Sequence, residues 1–174
     1  LTSRVLKAAN TVHFNPTRHS ISTVSRAVMV MGFDRIKVIT LSMALIDNLR
    51  VGEQRAQLIQ EMAFAFHAAT QAQEFAKQLK LDDAEDIFVA TLLSRLGYMA
   101  FWAFAGEESL TLLNEMHEGI ESTKAELKVL GFRLTDLTKT LCHDWSLGEL
   151  LNEYLNNRLS AKNTKVISLA VDIA

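Results

Sequence analysis

The sequence predicts an all-α domain, and three observations support this prediction. The chain has one proline and seven glycines in 174 residues, so few positions would interrupt a helix. Apolar residues recur at alternating spacings of three and four, as they do on the buried face of a helix. No strand-like alternation is long enough to indicate a sheet. Many helices joined by short loops should therefore form a compact bundle.

The helix boundaries follow from caps and stop signals. A first helix should end near Ala9 and Asn10, followed by a loop from Thr11 to Ser20 around Pro16. Gly32 is a typical helix stop, and Asp34 is a plausible N-cap for the next helix. We predict further helices over about residues 22–31, 34–49, 53–79, 83–105, 108–118, 124–130, 135–145, 147–156 and 164–174.

The clearest helix runs from Glu53 to Leu79. One apolar stripe along it should face the core: Leu58, Met62, Ala65, Ala69, Ala72, Ala76 and Leu79. Four of these seven residues are alanines, so a neighbouring helix can approach closely there.

The next helix has its own start signal and its own buried face. Asp82-Asp83-Ala84-Glu85 reads as a capping box, as does Thr123-Lys124-Ala125-Glu126 further along. The predicted inward face consists of Ile87, Ala90, Ser94, Gly97 and Phe101.

Composition and charge restrict the function classes. Residues 1–55 hold eight basic and three acidic side chains, a balance of +5, and the remainder holds ten basic and seventeen acidic, a balance of −7. The basic part could attract an anionic ligand or an acidic partner domain, or it could simply form solvated helix faces. It has no run of Lys and Arg interleaved with aromatic residues, so we expect no nucleic-acid partner.

The single cysteine and the apolar runs bear on location. Cys142 cannot form an internal disulfide, which fits a reducing cytoplasm, and we interpret it as a small buried residue. The longest apolar run, Tyr98 to Ala105, is far shorter than the ~20 residues of a membrane span. We therefore expect a cytoplasmic protein without a membrane partner.

Two regions of the sequence resemble the HDOD family, bacterial signalling domains related to the HD phosphohydrolase superfamily. The first region is Leu1 to Asn10 followed by Ser22 to Gly32, similar to a family helix ending in Ala-Asn, a loop, and a helix ending in glycine. The second is Phe66-His67-Ala68-Ala69, followed on the next helix by Leu92-Leu93-Ser94-Arg95-Leu96-Gly97. The resemblance implies a compact HD-like helical bundle.

The resemblance also assigns candidate site residues. His67 matches the first metal histidine of the HD superfamily, and Ser94 and Arg95 stand at its His-Asp doublet. A serine hydroxyl is a poor metal ligand, and a guanidinium has no lone pair to donate. We therefore predict no catalytic residue, no metal and no cofactor. His67 is interpreted as a partly buried histidine near Phe64 and Gln71, and a remnant ligand or a small anion site with Arg95 are the alternatives.

The only literal His-Asp doublet, His143-Asp144, follows Cys142. Consecutive residues on a helix point about 100° apart, so these three side chains cannot converge on one ion. We interpret His143 as a surface or last-turn histidine.

The resemblance implies a non-catalytic HDOD module that acts by protein–protein interaction in a bacterial regulatory protein. The partner would be a regulatory protein or an attached signalling domain, with Phe14, Tyr98, Trp102 and Trp145 as candidate anchors that could equally be core residues. One alternative is a metal-dependent phosphohydrolase acting on a nucleotide or cyclic dinucleotide. Another is a sensor that binds a nucleotide without cleaving it. We expect the domain to span residues 1–159, without the family's opening helices, and residues 160–174 to begin a C-terminal helix or a following region.

Overall fold

The computed structural model describes residues 2–11, 20–47, 52–158 and 162–174, and within them it contains eleven α-helices and no strand. The helices are α1 (Thr2–Ala9), α2 (Val24–Met31), α3 (Phe33–Asp47), α4 (Glu53–Gln78), α5 (Ala84–Leu93), α6 (Leu96–Phe104), α7 (Glu107–His117), α8 (Ser122–Leu130), α9 (Leu134–Asp144), α10 (Glu149–Leu155) and α11 (Lys162–Ile173). The predicted all-α class is confirmed. The chain divides into two compact units, Leu1–Asp47 and Asn48–Ala174.

The first unit, Leu1–Asp47, is built from α1, α2 and α3 around a small apolar core. That core consists of Val5, Ala9, Ile21, Ala27, Met31 and Ile36. The Asn10 side chain joins α1 to the residues before α2: its amide nitrogen donates to the Ile21 carbonyl at 2.8 Å, and its amide oxygen accepts from the Ile21 N–H at 2.9 Å. Of this pair, Ala9 is buried in the core and Asn10 links the end of α1 to Ile21 by hydrogen bonds.

Gly32 ends α2, as the sequence predicts. Its φ of 84° lies in the left-handed region that favours glycine. The helix begins after Thr23, whose hydroxyl accepts the Arg26 N–H at 3.3 Å. The proposal that Asp34 caps α3 is wrong, because α3 already begins at Phe33. Gly32 alone separates the two helices and leaves no room for a separate cap. The predicted end of this helix at Leu49 and most of the loop around Pro16 lie outside the described residues.

The second unit is organised around the long helix α4, which packs against α5, α6 and α11. The predicted alanine stripe is buried, and Leu58 and Ala68 are buried with it. Small side chains let the neighbouring helices approach closely, as expected from the sequence. Leu79 is an error in this prediction, since it is 60% exposed. The helix ends at Gln78, and Lys80 turns the chain with a φ of 54°.

The predicted single helix over residues 83–105 is two helices, α5 and α6, interrupted at Ser94 and Arg95. The inward face is nevertheless correct, because Ile87, Ala90, Ser94, Gly97 and Phe101 are all buried. By length and apolar content, Ala84–Phe104 is the one stretch among the described residues that could cross a membrane. A core helix of a globular unit has the same length and apolar content. In this stretch, 61% of the most apolar window is buried inside the protein.

The two helices with predicted capping boxes begin after N-cap residues that make no side-chain cap bond. Asp83 precedes α5 without a side-chain cap bond, and its carboxylate instead accepts from the Asn163 amide at 3.0 Å. Helix α8 begins after Glu121, again without a side-chain cap bond. Glu126 is 2% exposed, and its carboxylate accepts the Leu134 N–H at 2.8 Å. The carboxylate therefore satisfies a first-turn N–H of α9, another helix.

Candidate functional site

His67 lies on α4, and its side chain is exposed. The Nε2 atom of its ring lies 3.0 Å from the Gln71 amide nitrogen, one helical turn further along. His67 therefore lies beside Gln71, as predicted, but its description as partly buried is wrong. Among the described residues, no hydrogen bond or ring contact joins His67 to Ser94 or Arg95.

Ser94 points inward, as the helical spacing predicts, and only 6% of it is exposed. Its hydroxyl donates to the Thr91 carbonyl at 2.7 Å, and its backbone N–H reaches the same carbonyl at 3.2 Å. Both bonds span three residues, so they tighten the last turn of α5. Ser94 therefore ends a helix, and its hydroxyl proton is bound within its own chain segment.

Arg95 forms a bidentate ion pair with Glu61 of α4. Its Nε–H donates to Glu61 Oε2 at 2.8 Å, and its Nη2–H donates to Oε1 at 2.9 Å. Parallel guanidinium–carboxylate bonds of this kind are strong and geometrically specific. The two side chains are 27% and 15% exposed, so solvent screens the pair only in part.

Two aromatic rings complete the surroundings of the Arg95 guanidinium. The Tyr98 ring lies 3.7 Å from the guanidinium carbon, and the Phe64 ring lies 5.2 Å from it. Burial raises the pKa of Tyr98, the nearby Glu126 carboxylate adds to this, and Arg95 opposes it. The phenol is therefore neutral at physiological pH. The Arg95 cation is held by one carboxylate and two ring faces.

Sequence reasoning missed Glu61. A signal was present, because Glu61 is the only acidic residue of α4 between Glu53 and Glu74. A charged arginine on an inward-facing turn requires such a partner.

The HD-type metal centre does not fit these residues. The Ser94 hydroxyl is bonded to its own helix, Arg95 is a cation, and the nearby Glu61 carboxylate is occupied by Arg95. Within residues 2–11, 20–47, 52–158 and 162–174, no three His, Cys, Asp or Glu side chains form a group that could hold a metal ion. A metal site requires several donors that converge on one point, and His67 alone does not supply them.

His143 and Asp144 lie at the surface end of α9. The His143 Nδ1 atom is 3.1 Å from Asp144 Oδ1, and the side chains are 88% and 60% exposed. Cys142 is buried, and burial raises the pKa of its thiol. The three side chains do not converge, so the interpretations of His143 as a last-turn surface histidine and of Cys142 as a small buried residue are confirmed.

The candidate anchor residues differ in their surroundings. Trp102 is 3% exposed and packs edge-on against Phe101, so it is a core residue and cannot anchor a partner. Tyr98 is half-buried under Arg95, and Trp145 is exposed. Phe14 lies outside the described residues.

Gly97 is where α6 crosses α9 at very short range. A Cβ atom on Gly97 would lie 2.6 Å from the Thr138 nitrogen and would also overlap the Leu134 carbonyl. Gly97 donates its N–H to the Thr138 hydroxyl at 3.0 Å, and that hydroxyl donates to the Leu134 carbonyl at 3.1 Å. The glycine next to the Ser94-Arg95 turn is thus required by packing.

Comparison with known proteins gives one family and several structures. A model of the HDOD domain family matches residues 1–159. No curated protein matches the chain.

Three solved structures share the fold. One is an HDOD domain protein of unknown function from Geobacter sulfurreducens, with a TM-score of 0.63 and 21% identity, and the match covers 99% of this chain and 60% of that one. A candidate phosphohydrolase from Shewanella amazonensis SB2B has a TM-score of 0.62 and 19% identity, with 99% and 63% covered. The response regulator MmoQ from Methylococcus capsulatus has a TM-score of 0.58 and 21% identity, with 99% and 70% covered. The chain thus spans about 60% of the length of the first two proteins.

Proposed function

Because the chain belongs to the HDOD family, we propose that it is a non-catalytic signal-transduction module that acts by binding another protein. The partner is a regulatory protein or a signalling domain attached to the same polypeptide. The similarity in fold to a response regulator supports a signalling context. The module works in the bacterial cytoplasm, in keeping with a buried, unpaired cysteine.

The observation that carries this proposal is the Arg95–Glu61 ion pair. In an HD hydrolase the metal lowers the pKa of a bound water and offsets phosphoryl charge. Here the doublet position holds a cation, and the Glu61 carboxylate beside it is paired with that cation. A bare metal ion at this position would be repelled by the guanidinium. The site therefore supports a structural role, in which Arg95 connects the α5–α6 turn to α4.

The same pair weighs against a nucleotide sensor built on Arg95. An incoming phosphate would have to compete with a bidentate carboxylate in a partly buried site. His67 is exposed and lies within hydrogen-bond distance of Gln71, and among the described residues no hydrogen bond or ring contact joins it to Arg95.

The first unit offers a surface for a protein partner. Met29 is 83% exposed and Phe33 is 61% exposed, with Val30 between them also exposed. Lys37 places its ammonium group 4.7 Å from the centre of the Phe33 ring. Residues 1–47 carry six basic and two acidic side chains. An exposed apolar group within a basic unit fits a partner with an apolar pocket and an acidic rim.

A metal and activity assay tests the absence of catalysis. The purified protein would be analysed for bound Fe, Mn, Mg and Zn, and assayed with each metal on phosphate monoesters and cyclic dinucleotides. We expect no stoichiometric metal and no turnover. Stoichiometric metal that disappears in His67→Ala, or turnover that EDTA abolishes, would establish the phosphohydrolase alternative instead.

A pair of surface variants tests the interaction. Met29→Asp places a charge in the exposed apolar surface of the first unit, and Leu110→Asp places the same charge on an exposed leucine of α7. The full-length protein would be isolated from its own cells, and its bound partners quantified by mass spectrometry. A specific partner should be lost with Met29→Asp and kept with Leu110→Asp. Equal partner sets in both variants would contradict the assignment of this surface.

A further inference from the structure

A cleft of about 270 Å³ lies in the second unit between α9, α10 and α11. Neither Ser94 nor Arg95 lines this cleft. Its polar lining comes from six residues: Arg133, Thr135, Lys139, Tyr154, Asn157 and Ser168.

The charge in this cleft is positive. Arg133 and Lys139 line it, and one acidic side chain, Asp136, lies between them along α9. Asp136 accepts from Arg133 Nε at 3.1 Å and from Nη2 at 3.3 Å, and it lies 3.9 Å from the Lys139 ammonium. These bonds use two of the five N–H groups of the guanidinium. Arg133, Asp136 and Lys139 together carry a charge of +1, and the guanidinium keeps donors for an anion. The Asp172 carboxylate acts on Tyr154, so the anion is expected at the Arg133–Lys139 side of the cleft.

The rest of the lining suits a phosphate ester. Thr135 and Ser168 supply hydroxyl groups and Asn157 supplies an amide, and all three side chains can donate to phosphate oxygens. Thr135 lies in the first turn of α9, where backbone N–H groups and the helix dipole favour negative charge. Tyr154 is half-buried, and burial raises the pKa of its phenol. It therefore offers a neutral ring face to an apolar part of the ligand.

We propose that the α9–α11 cleft binds a small organic phosphate no larger than a mononucleotide. Arg133 and Lys139 bind the phosphate group, and the Tyr154 ring contacts the organic part. The cleft is slightly smaller than the usual ~300–1,000 Å³ of sites for drug-sized ligands, which favours a ligand of mononucleotide size over a dinucleotide. This inference does not depend on whether the Ser94–Arg95 position is catalytic.

Calorimetric titration at low ionic strength tests the proposal. The probes are the four nucleoside monophosphates, ribose 5-phosphate, inorganic phosphate and adenosine. We expect saturable binding of at least one organic phosphate, weaker binding of inorganic phosphate, and none of adenosine. Arg133→Gln and Lys139→Gln should each raise the dissociation constant about tenfold, because each removes a charge-assisted hydrogen bond. Asp136→Asn removes the competing carboxylate and should tighten binding several-fold.

Lys124→Gln is the matched control. Lys124 is also an exposed cation in an i,i+3 pair near the start of a helix, on α8 with Glu121, and it does not line the cleft. It should leave affinity unchanged. Circular dichroism establishes that each variant is folded, and Lys139→Gln tests the proposal alone if Arg133→Gln disturbs α9. The proposal is overturned if no organic phosphate binds, if inorganic phosphate or adenosine binds as well as the best organic phosphate, or if the cleft variants bind as wild type does.

Discussion

Arg95 and Glu61 are 34 residues apart in sequence, and two hydrogen bonds of 2.8 and 2.9 Å join them across the helix interface. This contact connects α4 to the turn between α5 and α6. On the correspondence with HD hydrolases that we propose, Arg95 stands at the metal doublet, so an ion pair joins these elements there.

Replacing Arg95 by Ala should destabilise the second unit by about 2 kcal/mol, because Glu61 is left as a partly buried, unpaired carboxylate. Urea denaturation at neutral pH measures this change. The exposed Lys77–Glu74 pair on α4 is the control, and Lys77→Ala should cost well under about 1 kcal/mol. A double-mutant cycle with Glu61→Ala should return a positive coupling energy for Arg95 and Glu61. If the losses in unfolding free energy of the two single variants simply add up in the double variant, the stabilising role of the pair is contradicted.

Gly97→Ala should be strongly destabilising, by about 2 kcal/mol or more, because the added methyl group would overlap backbone atoms of α9 that cannot move independently. Thermal unfolding monitored by circular dichroism measures the loss. Gly106→Ala is the control, since its nearest contact would be an ordinary 3.5 Å from the Glu108 carboxylate. The prediction is wrong if both variants unfold at the wild-type temperature.

Glu126→Ala should destabilise the α8–α9 region by about 1–3 kcal/mol, since it leaves the buried Leu134 N–H without its acceptor. Amide hydrogen exchange of Leu134 is the direct measurement, and its protection should fall more than that of amides in α4. The exposed Glu118→Ala is the control. Unchanged exchange at Leu134 would show that the carboxylate does not cap α9.

Asp136 should titrate below the ordinary range of an aspartate. Hydrogen bonding from Arg133 lowers the pKa of its carboxyl in the folded state. Its contribution to stability is therefore present above the unfolded-state pKa of about 3.9 and is lost as pH falls through the folded value. The group is solvent-exposed, so the contribution is only a few tenths of a kcal/mol. NMR titration of the carboxyl carbon should give a higher pKa in Arg133→Gln than in the wild type, and equal values would contradict the assignment.

The sequence was sufficient for elements whose signal is local or periodic. The alanine stripe of α4, the stop at Gly32 and the inward direction of Ser94 all follow from spacing and backbone preference. The two capping-box errors have a common cause, because tertiary partners bind the carboxylates that the local patterns had assigned to caps. Asp83 accepts from Asn163 of α11. Glu126 accepts from the Leu134 N–H of α9 and from the Ser122 hydroxyl of α8.

The candidate site shows the same difference between local signals, which the sequence carries, and tertiary partners, which it does not specify. His67, Ser94 and Arg95 could be selected by position, but the Glu61 partner of Arg95 depends on how α4 packs against the α5–α6 turn. Periodicity places Arg95 near the interface without specifying what it meets there. The end of the domain at residue 159 and the absence of the family's opening helices stay predictions.

The hydrogen bond from Gly97 to Thr138 stabilises the interruption between α5 and α6, in the stretch from Ala84 to Phe104. A helix that restarts at Leu96 leaves its first amide groups without carbonyl partners in their own helix, and the hydroxyl of Thr138 accepts one of them. The interruption is thus stabilised by a residue 41 positions further along. The turn that places Arg95 opposite Glu61 is therefore stabilised from two sides, by the Ser94 bonds within α5 and by Thr138 of α9.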